Sequence, residues 1–328
     1  MNSSTSSSEA DARGWARWLR AFVATLAFTV MLLLALVIAI DPYDSGRFGY
    51  LGIAGVNDMS PNTASVSHAR DPQFDAAVIG NSTGQLLDPR ELSRLTALRF
   101  VQLTVPGTGP REQLSILDFF LRHHARVGAV VISVDPVWCT RDAALPPPRP
   151  FPFWLYDAGP LEYAARLFSL RALGRAWRRA QIGLGLRQPT PPDGYVDYMA
   201  LYPHDFHPEP ATMDTSPDFA GMAPEDFPGV TRLAEALART PDATVVLVAP
   251  PAFHTHLPRP GSRRDADERA CKRALRRLMD ERRRGRFIDY RVTSELTRDA
   301  ASFRDAGHIN HKAARVMEQE IARALRGS

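Results

Sequence analysis

Twenty residues, Ala21–Ile40, run without a single charged side chain. Coiled as an α-helix they reach about 30 Å, the thickness of a bilayer's hydrocarbon core. Arg13, Arg17 and Arg20 precede the run, and Asp41 and Asp44 follow it. The positive-inside rule therefore places the N-terminus in the cytoplasm and everything after Asp41 outside it. Trp15 and Trp18 suit the interfacial belt. A cleaved signal peptide is the competing reading. It would have a shorter apolar region and a small-residue cleavage site, and no clear Ala-x-Ala site follows here. The expected organisation is a cytoplasmic tail (1–20), a transmembrane helix (21–40), a juxtamembrane segment (41–74) and one large domain (75–328). The Ser-rich stretch Asn2–Ser8 is expected to be disordered.

The chain has 328 residues, 45% of them hydrophobic, enough for one sizeable core with an insertion. Of 40 basic residues only Lys272 and Lys312 are lysines. The arginines are scattered and no nucleic-acid motif accompanies them, so the basic balance reads as codon bias, not as nucleic-acid binding. Cys139 and Cys271 are too few for a disulfide framework. They read as two free thiols, because Cys271 falls on an apolar helix stripe. A single disulfide outside the cytoplasm is the alternative.

From Asp75 onward short apolar runs alternate with helical patterns. The runs Ala76–Ile79, Phe100–Leu103, Ala129–Val134, Thr244–Ala249 and Phe287–Asp289 predict strands. Pro89–Leu95, Arg111–His124, Val230–Arg239, Arg263–Arg284 and Lys312–Leu325 predict helices. Such alternation predicts an α/β fold: a three-layer, doubly wound (flavodoxin-like) parallel sheet of about five strands, with its functional edge at the strands' carboxyl ends. Residues 136–229 break the rhythm. A Pro-rich stretch (Pro146–Pro152), an amphipathic helix near Leu161–Arg179 and an acidic, aromatic coil (Tyr195–Phe227) read as an insertion or cap after the third strand.

The chemistry concentrates at two turns. The first strand ends in Gly80-Asn81-Ser82, where glycine permits a tight turn that lifts a serine oxygen above the sheet. Backbone N–H groups at such a turn can hold an oxyanion. On its own a Gly-x-Ser turn is weak evidence, since serine is a common turn residue. Asp305-Ala306-Gly307-His308 adds a carboxylate and an imidazole three residues apart, in the last loop. On a doubly wound sheet that loop lies at the same edge as Ser82, so the carboxylate can orient an imidazole that accepts the serine proton.

These two blocks resemble those of the SGNH (GDSL-like) hydrolases and acyltransferases, usually Gly-Asp-Ser and Asp-x-x-His. The similarity covers about Asp75–Leu325. With the apolar helix, it most resembles the membrane-tethered branch that handles O-acyl groups on cell-envelope polymers. The resemblance implies Ser82 as nucleophile, His308 as general base and Asp305 as its orienting carboxylate. The N–H groups of Ser82 and Gly107 would form the oxyanion site, with Gly109 the rival to Gly107. Asn81 and Asn310 would support them from behind. The family's Gly-x-Asn-Asp block is absent: its place reads Ser133-Val134-Asp135-Pro136, so one oxyanion donor is missing. Asp135 itself reads as a pocket carboxylate or a cap.

The resemblance further implies a bacterial inner-membrane protein with a periplasmic domain. Its expected function is that of a serine acyltransferase or acylesterase acting on O-acyl, foremost acetyl, groups of an envelope or secreted polysaccharide, with an integral-membrane acyltransferase as partner. The alternative is a catalytically weak domain that binds or scaffolds the polysaccharide machinery. No cofactor and no metal are expected. His204-Asp205-Phe206-His207 and His254-Thr255-His256 carry zinc-type ligands but sit in separate coils. The arginines of the 263–284 helix read as a solvated face, with contact to anionic lipid or polymer as the sharper reading.

Overall fold

The computed structural model describes residues 6–157, 159–202, 206–208 and 226–327, with side chains from Ala12 onward. In chain order the elements are α1 (Ser6–Ile40), α2 (Pro61–Ala69), β1 (Ala76–Gly80), α3 (Pro89–Thr96), β2 (Phe100–Thr104), α4 (Pro110–His123) and β3 (Ala129–Ser133). Short helices α5 (Phe153–Tyr156), α6 (Pro160–Leu167), α7 (Leu170–Gly183) and α8 (Tyr198–Leu201) follow. The chain continues with α9 (Pro228–Ala238), β4 (Thr244–Ala249), α10 (Arg263–Asp280), β5 (Gly285–Asp289), α11 (Glu295–Arg298), the strands β6 (Phe303–Asp305) and β7 (His308–Ile309), and α12 (His311–Arg326).

The five expected strands form one parallel sheet in the order β2-β1-β3-β4-β5. This is an α/β fold with doubly wound strand order, and the order reverses between β1 and β3, where such sheets open a crevice at their carboxyl ends. Strands β1 to β4 are buried throughout, which is why they read as continuous apolar runs instead of alternating ones. Alternate residues serve different clusters. Ile79, Leu103, Ile132 and Leu247 pack with Phe119 of α4, Leu233 of α9 and Leu275 of α10. Val78, Phe100, Val131 and Val246 pack with Leu92 of α3 and Met317 and Ile321 of α12.

Helix α1 starts at Ser6, not at residue 21, so Ser6–Ser8 are helical instead of disordered, while Asn2–Thr5 lie outside the described residues. It is long and apolar enough to cross a membrane, with a mean hydropathy of 2.8 and only 11% of its most apolar window buried. Phe22, Leu26, Phe28, Met31 and Leu32 are all exposed, far more contiguous apolar surface than a water-soluble helix shows. Its last turn differs. Val37 and Ile40 join the main core, and Asp41 and Asp44, expected as flanking charges in water, are buried. Arg179 of α7 explains this: its guanidinium donates to the carbonyls of Ile40 and Asp41 and, at 2.5 Å, to the Asp44 carboxylate. Arg70 pairs with the same carboxylate at 2.6 Å.

The insertion is therefore not simply a cap. The helix expected at Leu161–Arg179 is broken into α6 and α7, because Ser169 turns its hydroxyl onto the Ala172 N–H and caps a new helix. Both pieces pack against α1. Residues near 190–202 return to the sheet, where the Gln102 N–H donates to the Asp193 carbonyl and the open edge of β2 is covered. Helix α10 ends at Asp280, four residues before the expected end. The cysteines are not free thiols: Cys139 and Cys271 are joined in a disulfide with Cα atoms 5.4 Å apart. The turn after β3 packs beside α10, which turns the apolar face carrying Cys271 onto Cys139.

Candidate active site

Ser82 opens a single 3-10 turn, Ser82–Gly84, directly after β1. That turn folds back over β3, and two glycines are what allow it. A Cβ on Gly80 or on Gly84 would stand 2.7 Å from the Ser133 Cβ, too close for any side chain. Asn81 caps the turn by accepting from the Thr83 N–H at 3.0 Å and the Thr83 hydroxyl at 2.9 Å. Its amide nitrogen donates to the Thr108 carbonyl at 3.3 Å and to Asp135 Oδ2 at 2.7 Å. One buried side chain thus ties together the loops that follow β1, β2 and β3.

Asp305 and His308 face each other across the two-residue turn of the antiparallel β6–β7 hairpin. His308 Nδ1 lies 2.8 Å from Asp305 Oδ1 and 3.0 Å from Oδ2, and His308 Nε2 lies 2.9 Å from Ser82 Oγ. An ionised carboxylate only accepts, so Nδ1 carries the proton and Nε2 presents its lone pair to the serine hydroxyl. Burial pulls the Asp305 carboxyl upward. The hydrogen bond from His308, with the Gly307 N–H, outweighs it and leaves the pKa below the ordinary carboxylate value. Three residues separated by up to 226 positions in sequence thus form one hydrogen-bonded chain at the carboxyl edge of the sheet.

The hairpin is held on both sides. The Phe253 N–H, after β4, donates to the Ala306 carbonyl at 2.9 Å, and the Phe253 ring packs edge-on to Phe303. Asn310 donates to the Ala301 carbonyl at 2.7 Å and caps α12 through the Lys312 N–H at 2.9 Å, so it does pin the loop behind His308. Gly107 follows β2 with φ +71, a left-handed conformation that glycine adopts at least cost. The N–H groups of Ser82 and Gly107 donate to no acceptor among the described residues. Gly109 takes another role as the N-cap residue before α4, its N–H bonded to Glu112 at 3.0 Å.

Asp135 proves to be a buried cap. It accepts from the Val137 N–H at 3.3 Å and from Asn81. Burial raises its pKa, opposed by the Asn81 hydrogen bond and by the charge of Arg291. With its amide nitrogen spent on Asp135 and Thr108, Asn81 does not stand free as a third donor. Arg149 was not singled out by the sequence: its stem lies over Gly107, 3.1 Å from where a Cβ would be. Only its place in a Pro-rich loop after β3 could have flagged it. His254 and His256 share one short turn after β4, and His207 lies in coil, while His204 and Asp205 lie outside the described residues. Among the described residues no group of three His, Cys, Asp or Glu comes together to hold a metal. Lys272 of α10 pairs with Glu268 and Asp289, and Arg291 after β5 pairs with Glu268, while Arg263, Arg269, Arg273, Arg276 and Arg277 of α10 are exposed. Compared with known protein families and with characterised proteins, the chain matches none.

Proposed function

We propose that the protein is a membrane-anchored serine acyltransferase or acylesterase of the SGNH type, acting outside the cytoplasm on O-acyl groups of an envelope or secreted polysaccharide. The observation that carries the reading is the continuous chain Asp305–His308–Ser82 at the edge where doubly wound sheets bind ligands. Ser82 Oγ attacks the acyl carbonyl as His308 Nε2 takes its proton. Asp305 keeps the imidazole in the required tautomer and stabilises the imidazolium. The Ser82 and Gly107 N–H groups stabilise the oxyanion. His308 returns the proton to the departing hydroxyl oxygen. A sugar hydroxyl or water, deprotonated by His308, then releases the acyl group and restores Ser82.

Relative to the family pattern the amide and the carboxylate have changed places: asparagine stands before the serine and aspartate after β3. The missing third donor predicts slow turnover, since loss of one such donor costs about 10²–10³ in rate. Two observations support the anchored, extracytoplasmic reading. Cleavage after α1 would remove Val37 and Ile40 from the core and one of Arg179's acceptors. The Cys139–Cys271 disulfide suits an oxidising compartment. Alkaline phosphatase fused after Ser328 is expected to be active, and a cytoplasmic reporter inactive; the reverse would reject this orientation.

The chemistry is tested with the full chain in lipid nanodiscs. p-Nitrophenyl acetate should be turned over slowly and a fluorophosphonate should label Ser82. Ser82→Ala should abolish both, and His308→Ala should nearly match it, because members of a triad act as a unit. Wild-type turnover in a folded Ser82→Ala variant would overturn the nucleophile. Absence of both turnover and labelling in the wild type, with its membrane partner present, would favour a scaffold, which the missing third donor also suits.

A further inference from the structure

Beside the catalytic edge, on the open side of β2, lies a half-enclosed cleft of about 280 Å³. Its walls come from α2, the outer strand β2 and the returning segment 190–201, with Met59, Val196 and Leu201 among the apolar lining. Two polar side chains of its wall lack partners among the described residues: His68 Nε2 and Thr104 Oγ1. Both residues are more than nine-tenths buried, His68 9% and Thr104 4% exposed. Buried polar atoms are nearly always hydrogen-bonded, and each one left alone needs a reason. Two at the wall of one apolar cleft point to a ligand that completes them.

We propose that this cleft is a second ligand site, taking a neutral, mainly aliphatic molecule that ends in an alcohol or primary amide. The head group serves His68 and Thr104, and the chain lies against Met59, Val196 and Leu201. A hydroxyl or primary amide both donates and accepts, as an imidazole nitrogen and a threonine hydroxyl require. The volume sets the size: an apolar cavity of about 150 Å³ holds benzene, so this one holds about ten non-hydrogen atoms. Charge sets the class: the residues lining the cleft include Asp58 and Asp197 and no lysine or arginine, so an anionic head group meets no compensating cation among them.

The cleft also touches both catalytic loops. Gln102 on its wall donates to the carbonyls of Gln85 and Leu87, just after Ser82, each at 2.8 Å. Asp197 accepts from His311, three residues after His308, at 3.1 Å. The proposal concerns binding alone and does not depend on the chemistry at Ser82.

The test uses the full chain in lipid nanodiscs with the photoreactive alcohol 3-azioctanol and mass-spectrometric mapping of the adducts. Saturable labelling is expected at cleft residues such as Met59, Tyr195 and Leu201, displaced by 1-octanol and octanamide but not by octanoate. Thr104→Val keeps the side-chain shape and removes the hydroxyl, and it should weaken displacement by octanol about tenfold. Leu201→Trp obstructs the exposed mouth without entering the core and should abolish cleft labelling while thermal unfolding is unchanged. Labelling confined to α1, or cleft labelling indifferent to Leu201→Trp, would overturn the site. Displacement by octanoate as strong as by octanol would overturn the ligand class.

Discussion

Replacing Asn81 by aspartate sets a second carboxylate against Asp135, where an amide nitrogen now stands 2.7 Å from Oδ2 in a buried position. A carboxyl there can donate to Asp135 only while it holds a proton. Two carboxylates at that distance cannot both ionise, so one must hold a proton above its ordinary pKa. Each unit of that shift costs about 1.4 kcal/mol at neutral pH. A shift of roughly two to four units therefore costs about 3–5 kcal/mol at pH 8, a fall in Tm on the order of 10 °C for a domain of this size. The sign follows from linkage. The shared proton is bound with a pKa raised above the unfolded value, so the variant's stability is full below about pH 4 and is lost as pH rises through the folded pKa. The deficit against wild type should therefore be small at pH 5 and large at pH 8, read by thermal unfolding across that range. Asn81→Asp combined with Asp135→Asn restores one amide and one carboxylate, and should recover most of the loss at every pH. A neutral, pH-independent Asn81→Asp, or a double variant no better than the single, would refute the pairing.

Serine at both Cys139 and Cys271 opens a loop spanning a sequence separation of 132, which chain entropy sets at up to about 5 kcal/mol, so Tm should drop by roughly 10 °C and dithiothreitol should mimic the variant. Gly107→Ala adds a Cβ at φ +71 and 3.1 Å from Arg149, so it should cost about 1–2 kcal/mol of stability and lower turnover more than substrate affinity. His68, whose pKa burial lowers to about 4, resists protonation in the folded chain. It contributes stability that is present above pH ~6.5 and lost as pH falls toward 4, up to about 3 kcal/mol. Glu318, which burial raises to about 7, acts in the opposite direction over the same window. The difference between wild type and His68→Gln is therefore the quantity to measure: it should shrink by that amount between pH 7 and pH 4, and a constant difference would contradict a neutral buried His68.

Much of the architecture was legible in the chain because the forces that set it are local and repetitive. Apolar runs of three to six residues, each followed by a helical pattern, are enough to specify five parallel strands, four of them buried throughout. The twenty uncharged residues of α1 specify a helix that water does not suit. Gly80-Asn81-Ser82 and Asp305-x-x-His308 could be placed at one sheet edge, because strand order and chain direction put both loops there. Other features depended on partners far away in sequence. Asp41 and Asp44 look like water-facing charges until α7 brings Arg179 onto them. Cys271 belongs to an apolar helix stripe until α10 packs against the turn that carries Cys139. Asn81 and Asp135 are each ordinary turn residues, 54 positions apart, and only the β1–β3 pairing makes them one hydrogen-bonded unit. Periodicity and turn chemistry are written within a few neighbouring residues, so the sequence by itself determined the sheet, the apolar helix and the candidate triad. Burial of a charge, closure of a disulfide and completion of a polar pair require two surfaces to meet, and only the tertiary structure decided those.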